Sequence, residues 1–548
     1  MKSKLVKLIV SLLIICLFWF GYKTSLGYAQ YLPQPYRQWF GLAHFKLQTA
    51  VANLVDAFYL PTYWHKYSAR KLTAFNLIMS PADITKLKED AQQSVALGYN
   101  AKQSASTQQI SLLYADKPYS ASISFHGGGA ADYVFNKNDY NIKINDKQSV
   151  AGYEAFNLFN PSVHNWLVPL LANQVASKLQ LYYNDQFPVL VKMNNKTSGV
   201  YLLEEKINDD FFAKRGLNSA QVIKQRDETR LPHRINTLAL NAHILSGWDF
   251  EIANTDPFNQ DNPTILYRLD QFYKAIQARD FKQISQFIDL DYWARYDAFR
   301  ELLAIDHDTS GANFIMFYLS QDQKFYPVAR SEGDLNPLAV SNGNTLASFN
   351  NYDPHLAEQF DYPRIFLLLN LAPQFRILKY HYLNQLVNKS AELNQAFQSV
   401  YEQYESVFLY DTSDEASVWE KQRRFNGYLQ TISANLNLIK QELTFAQVAI
   451  NVVNQKNIAT IEIIPDSLMP VQFDLFELEF GQGQAEDVAK IINQKIIMAT
   501  INQQLAVIPT TFTFSFPVKQ PVTSLKLKAK NQITGFPIDK IFTAIASE

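Results

Sequence analysis

The residues of this chain best placed to do chemistry lie between Ile305 and Asn336. His307-Asp308 opens the stretch, Asn313 follows five residues after the aspartate, and an acidic pair, Glu332 and Asp334, closes it. Phosphoryl-transfer sites use these residue types in this order: a carboxylate that orients the attacking hydroxyl, an asparagine near a metal, and a later acid on the same metal. An Asp and an Asn five apart also arise by chance, so the pattern needs support from elsewhere. Upstream, His126-Gly127-Gly128-Gly129 places three glycines in a row. Gly128 and Gly129 would let backbone amides approach an anion, although the same run suits an ordinary hairpin turn. Lys143 falls mid-strand in Tyr140-Asn141-Ile142-Lys143-Ile144, on the face opposite the apolar residues. It is a solvated lysine, or, if that face lines a cleft, a point charge for a phosphate. Gly199-Val-Tyr-Leu-Leu203 runs into Glu204 and Glu205, with Lys206, Lys214 and Arg215 near enough that a plain charged surface also fits.

Those side chains need elements to hold them. Phe75 to Met79 reads as a strand, followed by a helix with Ser80 as cap, Pro81 at its first position and Asp83 closing a capping box. Alternation over 107–160 reads as an antiparallel sheet. Residues 165–180 read as a helix, and 189–205 as a hairpin turning at Asn194-Asn195. From 208 to 300 the pattern is helical. Asp291 to Ile305 forms a core helix with Tyr292, Tyr296, Phe299, Leu302 and Leu303 inward, and it delivers the chain to His307-Asp308. A hairpin over 313–328 follows. Residues 376–447 repeat Leu383, Leu386, Leu393, Phe397 and Val400 at helical steps, the mark of a packing face. From about Thr444 the period changes to two, which implies a β-sandwich.

Composition bounds the reading further. A chain of 548 residues exceeds what one core sustains, so several domains are expected. The divisions fall at 1–30, 31–72, 73–445 and 446–548. A hydrophobic fraction of 47% suits a globular protein, and a net charge of −1 gives no reason to expect a nucleic-acid partner. Cys16 is the single cysteine, so disulfides, thiolate zinc sites and a cysteine nucleophile are excluded after it. No Gly-x-Ser-x-Gly or His-Glu-x-x-His motif points to a hydrolase. The 38 Phe and 30 Tyr admit a sugar-polymer-binding reading, but most fall in core-like patterns. Lys2, Lys4 and Lys7 precede an apolar run from Leu8 to Tyr22. This is either a signal peptide cut near Ala29 or an uncut anchor with Trp19, Phe20 and Tyr22 at the membrane interface. Both place the bulk of the chain outside the cytoplasm, in a bacterial-type cell envelope. Residues 31–72 then read as a juxtamembrane helical segment, either lying on lipid or, the reading preferred, docked on the main domain.

The order of motifs resembles the spore-coat protein H (CotH) family of atypical secreted kinases. The resemblance runs over roughly 73–445, through FNLIMSPADITKL, HGGG…NKNDYNIKI, GVYLLEEKI and DHDTSGANFIMFY followed by KFYPV. Lys137, Tyr140 and Lys143 stand at the family's Lys-x-x-Tyr-x-x-Lys strand, and Gly199, Tyr201 and Glu205 at its Gly-x-Tyr hairpin. What the resemblance implies is an α+β, minimal protein-kinase-like fold that binds ATP and Mg2+ and phosphorylates a protein or other hydroxyl of the envelope. Lys143 would contact nucleotide phosphates, Glu205 would shape the nucleotide side of the cleft, Asp308 would act as acid-base residue, and Asn313 would assist the metal. One departure stands out. The family follows its Lys-aromatic-hydrophobic-Pro strand with Trp-Asp-x-Asp, whereas Lys324-Phe-Tyr-Pro327 is followed by Val328-Ala329-Arg330-Ser331. Asp334, or Glu332, would have to supply the metal ligand, or the chain is a non-catalytic relative that serves envelope assembly.

Overall fold

A computed structural model of the chain describes residues 72–543 apart from 98–106, 128–136, 147, 218–219, 226–249, 253–262, 279, 305–313, 332–334, 339–363, 412, 414–415 and short breaks between 445 and 521. The signal or anchor segment and nearly all of 31–72 lie outside the described residues. Among those described, no helix is long and apolar enough to cross a membrane.

Strand β1 (Ala74–Ile78) leads into helix α1 (Pro81–Leu97), and the expected capping box forms. The Asp83 amide donates to Ser80 Oγ at 3.1 Å, and that hydroxyl donates to Asp83 Oδ2 at 2.6 Å. Alternation then builds β2 (Gln108–Tyr114), β3 (Lys117–Phe125), β4 (Tyr140–Ile144) and β5 (Ala155–Phe159). After α2 (Val168–Lys178) comes the hairpin of β6 (Gln186–Met193) and β7 (Lys196–Glu205). Its two turn residues, Asn194 and Asn195, have φ of 47° and 67°, the left-handed backbone that a tight hairpin requires and asparagine tolerates. The expected sheet is in fact part of a closed barrel, in the order β1-β2-β3-β4-β5-β7-β6. Closure comes from β1 lying parallel to β6, with Phe75 opposite Val191. Phe75, Leu77, Ile123, Ile142, Phe156 and Leu203 fill the interior.

The helical stretch expected over 208–300 needs correction. It contains α3 (Asp209–Lys214), but then β8 (Ala220–Gln225) and β9 (Phe250–Ile252). Helices return with α4 (Pro263–Ala278), α5 (Phe281–Phe287) and α6 (Leu290–Leu303). Strand β8 escapes notice in the sequence because its buried residues, Ala220, Val222 and Ile223, include an adjacent pair that breaks the alternation. A strand covered on both faces shows no period of two. It pairs with β10 (Ile315–Leu319), itself the first arm of the expected hairpin with β11 (Lys324–Pro327), giving a sheet ordered β11-β10-β8-β9.

Helix α6 carries the expected inward set, and Trp293, Asp297, Arg300 and Glu301 are buried with it. It ends at Ala304 in left-handed backbone, φ 49°. A bundle of α7 (Arg364–Leu371), α8 (Pro373–Asn388), α9 (Ser390–Leu409) and α10 (Val418–Thr444) surrounds it. Leu383, Leu386, Leu393, Phe397 and Val400 all lie in the resulting core.

The C-terminal strands are β12 (Val448–Gln455), β13 (Ile458–Pro465), β14 (Val471–Phe480), β15 (Ala485–Asp487), β16 (Ile496–Ile497), β17 (Thr500–Ile501), β18 (Val507–Ile508), β19 (Phe512–Pro517), β20 (Val522–Asn531) and β21 (Pro537–Thr543). Sheets β12-β13-β19 and β15-β14-β20-β21 enclose one core of Ile450, Ile461, Ile463, Val471, Phe473 and Leu525. This module is tied to the bundle, since Asn531 Nδ2 donates to the Leu443 carbonyl at 2.7 Å and Asn384 Nδ2 to that of Ile533 at 3.0 Å. The whole is a mixed α+β protein.

Candidate functional site

The outer face of the barrel changes character from one cross-strand row to the next. Phe159 of β5 pairs with Leu202 of β7, and both join the core of the helical bundle. Two residues along the strands, Asn141, Asn157, Glu204 and Gln186 stand directly opposite one another on β4, β5, β7 and β6. Two residues further, about 7 Å along β4, is Lys143, which is exposed. An apolar seam thus seals barrel to bundle, a polar row borders it, and a lysine marks where the face opens to water. Strand parity places Lys143 on the face the sequence predicts, and adds Asn141, Asn157 and Glu204, which the sequence did not single out as a group.

The polar row is largely buried and closely bonded. Glu204 accepts from Asn157 Nδ2 at 3.0 Å and from Gln186 Nε2 at 2.7 Å, and Arg330 reaches its Oε1 at 3.4 Å. Burial alone would raise this carboxyl. The Arg330 charge and the two amide donors outweigh it, so the group is held below the usual carboxylate range. His126 lies at the end of β3 with Nδ1 3.0 Å from Asn141 Oδ1. Asn141 donates its amide to the Phe125 carbonyl, so its oxygen faces the ring and His126 carries its proton on Nδ1. Burial lowers the His126 pKa to about 4, leaving it neutral at pH 7. Gly127 follows with φ 103°, a conformation that favours glycine. Gly128 and Gly129 lie outside the described residues.

Glu205 has a different setting. It lies on the opposite strand parity from Lys143, paired with Phe156, and its carboxylate meets Arg215 at 2.8 Å and Lys214 at 3.3 Å. Between the two adjacent acids, it is therefore Glu204 that shares the face of Lys143. Lys137, the first lysine of the Lys-x-x-Tyr-x-x-Lys pattern, is also committed elsewhere. Its ammonium is buried on Asp411 Oδ2 at 2.8 Å, in the link between α9 and α10. The same Oδ2 accepts the Val200 amide at 2.9 Å, while Oδ1 accepts Ser413 Oγ at 2.7 Å. Gly199 explains itself here. Its φ is 110°, and a Cβ would sit 1.6 Å from Ser413 Oγ. The glycine lets β7 press against this knot, which joins barrel to bundle.

Asp308, Asn313, Glu332 and Asp334 lie outside the described residues, but the segments leading to and from them do not. Helix α6 is locked just before residue 305 by a buried charge network. Asp297 accepts from Arg300 at 3.0 Å, Asn370 at 2.7 Å and Lys379 at 3.2 Å, and Lys379 also meets Glu301 at 3.1 Å. Burial raises the Glu301 carboxyl, and it favours loss of the Lys379 proton, but Asp297 and Glu301 keep Lys379 charged. On the far side, Val328 and Ala329 extend β11: the Val328 amide donates to the Ile315 carbonyl at 3.0 Å and that of Ala329 to Tyr182 at 2.8 Å. That extension carries Arg330 to Glu204 and buries Ser331. The positions in register with the family's two acids are therefore Ala329, in the strand extension, and Ser331, and neither offers a carboxylate. Among the described residues, no group of three or more His, Cys, Asp or Glu side chains is arranged to hold a metal.

A family model described as CotH kinase protein matches residues 123–433, more than half of the chain. The chain belongs to the CotH kinase family. The matched span starts inside β3 and ends in α10, so it takes in Lys143, Glu204, the knot around Asp411 and the whole of 305–336. β1, α1 and the C-terminal sandwich lie outside it. No curated protein matches the chain.

Proposed function

We propose that this CotH-family protein is a phosphotransferase with a kinase-like two-lobed fold, acting outside the cytoplasm on a protein or other hydroxyl of the cell envelope. The observation that carries the reading is the graded face of the barrel. Lys143 sits at the open end of a buried polar row whose far partner, Arg330, comes from the strand that leads to Glu332 and Asp334. One face thus collects a candidate phosphate-binding lysine and, through Glu204, Arg330, which precedes Glu332 by two residues in the chain. ATP with Mg2+ would supply the transferable phosphoryl group and neutralise its charge. Toward that pair, Lys143 would hold phosphate oxygens as a point charge, and Asp334, with Glu332 and Asn313 beside it, would hold the metal. Asp308 would accept the proton of the attacking hydroxyl. The polar row suits a polar ligand, because Asn157 Oδ1, Gln186 Oε1 and Ser331 Oγ are buried acceptors without a hydrogen-bond partner. The N-terminal basic-apolar run supports export, and the sandwich would dock the envelope partner.

A second reading has its own support. Ala329 and Ser331 replace carboxylates, and Arg330 neutralises Glu204 without any metal, which suits a kinase-like scaffold kept for binding or assembly. Binding of Mg-ATP, measured as a shift in thermal midpoint, and transfer of labelled phosphate separate the two. Wild-type protein should bind and transfer. Asp308→Ala should bind without transfer, Lys143→Ala should weaken nucleotide binding, and Asp334→Ala should lose the magnesium-dependent part of the shift. A wild type that shows neither binding nor transfer rejects the enzyme in favour of the scaffold. Loss of binding with Glu332→Ala rather than Asp334→Ala reassigns the metal ligand.

A further inference from the structure

Asn435, on α10 two residues beyond the matched family span, is buried and spends its whole side chain on two other segments. Its Nδ2 donates to the Leu302 carbonyl at 2.9 Å and to the Asn336 carbonyl at 3.0 Å. Its Oδ1 accepts the Leu338 amide at 2.8 Å. Asn336 adds a second link, donating from Nδ2 to the Ala304 carbonyl at 3.3 Å.

The chain positions of these partners give the arrangement its meaning. Leu302 lies in the last turn of α6, where carbonyls have no partner within the helix and must find one outside. Ala304 is the residue directly before 305–313, and Asp308 follows it by four residues, at most about 14 Å of chain. Leu335 directly follows Asp334, and Asn336 and Leu338 continue from it. One amide side chain therefore bridges the stem of the segment bearing Asp308 and the stem of the segment bearing Glu332 and Asp334. The charge network on Asp297 and Lys379 fixes α6 within the bundle, but every one of its members precedes residue 305 or follows 363. It cannot set the distance between the two stems. The Asn435 and Asn336 bonds span both stems.

We propose that Asn435 is a positioning residue that fixes the separation of the Asp308 stem and the Asp334 stem. On the phosphotransfer reading, on which this rests, that separation determines whether acid-base group and metal acids address one phosphoryl group together. An asparagine suits the task because it donates twice and accepts once across the gap. An aspartate has the same shape but presents oxygen to two carbonyls, so it should push the stems apart.

The test uses the full chain with Asn435→Asp, Asn336→Ala and, as a control for general loosening of α10, Leu443→Ala. For Asn435→Asp, kcat for phosphate transfer should fall about 10- to 100-fold, the scale expected of a misplacement near 1 Å. The magnesium concentration giving half-maximal rate should rise, and KM for ATP should stay nearly constant. Asn336→Ala should follow the same pattern less strongly, and it keeps the test open if Asn435→Asp does not fold. Equal effects on kcat and magnesium dependence in Asn435→Asp and Leu443→Ala overturn the proposal. Amide exchange decides it independently of activity: Asn435→Asp should lose protection at 300–304 and 335–338 together while the barrel strands keep theirs. If the wild type transfers no phosphate, the enzyme reading fails, and this paired loss still supports the bracket. Loosening of one stem alone, or of neither, overturns it.

Discussion

Replacing Gly199 by alanine tests how the barrel is locked to the bundle. The added Cβ would lie 1.6 Å from Ser413 Oγ, 2.6 Å from Ser413 Cβ and 2.9 Å from Asp411 Oδ1, at a φ of 110°. Holding alanine in that backbone region costs roughly 1–3 kcal/mol. Ser413 must also move, giving up hydrogen bonds to the Asp411 carboxylate from its hydroxyl at 2.7 Å and its amide at 3.2 Å. Bonds to a charged group are worth roughly 1.5–3 kcal/mol each. Together these predict a loss of about 4–9 kcal/mol, a large share of the roughly 5–15 kcal/mol available to a folded domain. Urea unfolding followed by tryptophan fluorescence measures it, since Trp166 stacks edge-on against Phe425 of α10 close to this junction. Ser413→Gly removes the two closest of the three atoms that the Cβ would meet. The double variant should then be at least about 2 kcal/mol more stable than the sum of the single effects. A Gly199→Ala loss under about 1 kcal/mol, or strict additivity with Ser413→Gly, refutes the packing argument.

The remaining predictions concern buried charge. His126 has its pKa lowered from 6.5 to about 4 by burial, so its contribution is complete above 6.5 and is lost as pH falls toward 4. That window is worth up to roughly 3 kcal/mol, the ring's partial exposure making it a ceiling. The urea midpoint of the wild type should fall between pH 7 and 4.5, and that of His126→Gln should fall less; parallel curves would contradict the assignment. Arg330→Met leaves the Glu204 carboxylate buried without its cation and should destabilise by about 3–5 kcal/mol, whereas Glu204→Gln with Arg330→Met should recover much of this. Thermal midpoints showing no recovery would mean that Arg330 acts through other contacts. Lys379→Met leaves the buried Glu301 without its bonded cation, while Asp297 keeps Arg300 and Asn370, and it should cost about 3–5 kcal/mol at pH 8. Burial already raises the Glu301 carboxyl, so it takes up a proton first and the cost should shrink by pH 5. A cost independent of pH would refute that.

Much of this molecule is legible in its residues because local patterns carry it. The Ser80 and Asp83 box, the Asn194-Asn195 turn, α6 with its inward aromatics and the switch to a period of two after Thr444 each depend on neighbours a few positions away. Motif order was likewise sufficient for the family, and the departure after Pro327 is visible as missing acids. Contacts distant in the chain are another matter. Closure of the barrel rests on β1 beside β6, more than 100 residues apart, and no periodicity encodes it. β8 was hidden because burial on both faces erases alternation. Which of two adjacent glutamates joins Lys143 follows from register, which assigns Glu204 to that face and turns Glu205 to Arg215. Lys137 reads as a site lysine until its partner, Asp411, arrives from 274 residues away. The sequence alone determines which elements form and which chemistry the side chains can offer. Only the tertiary structure decides which of them meet, because a charge in a fold is defined by its partner and its burial, and both come from segments far along the chain.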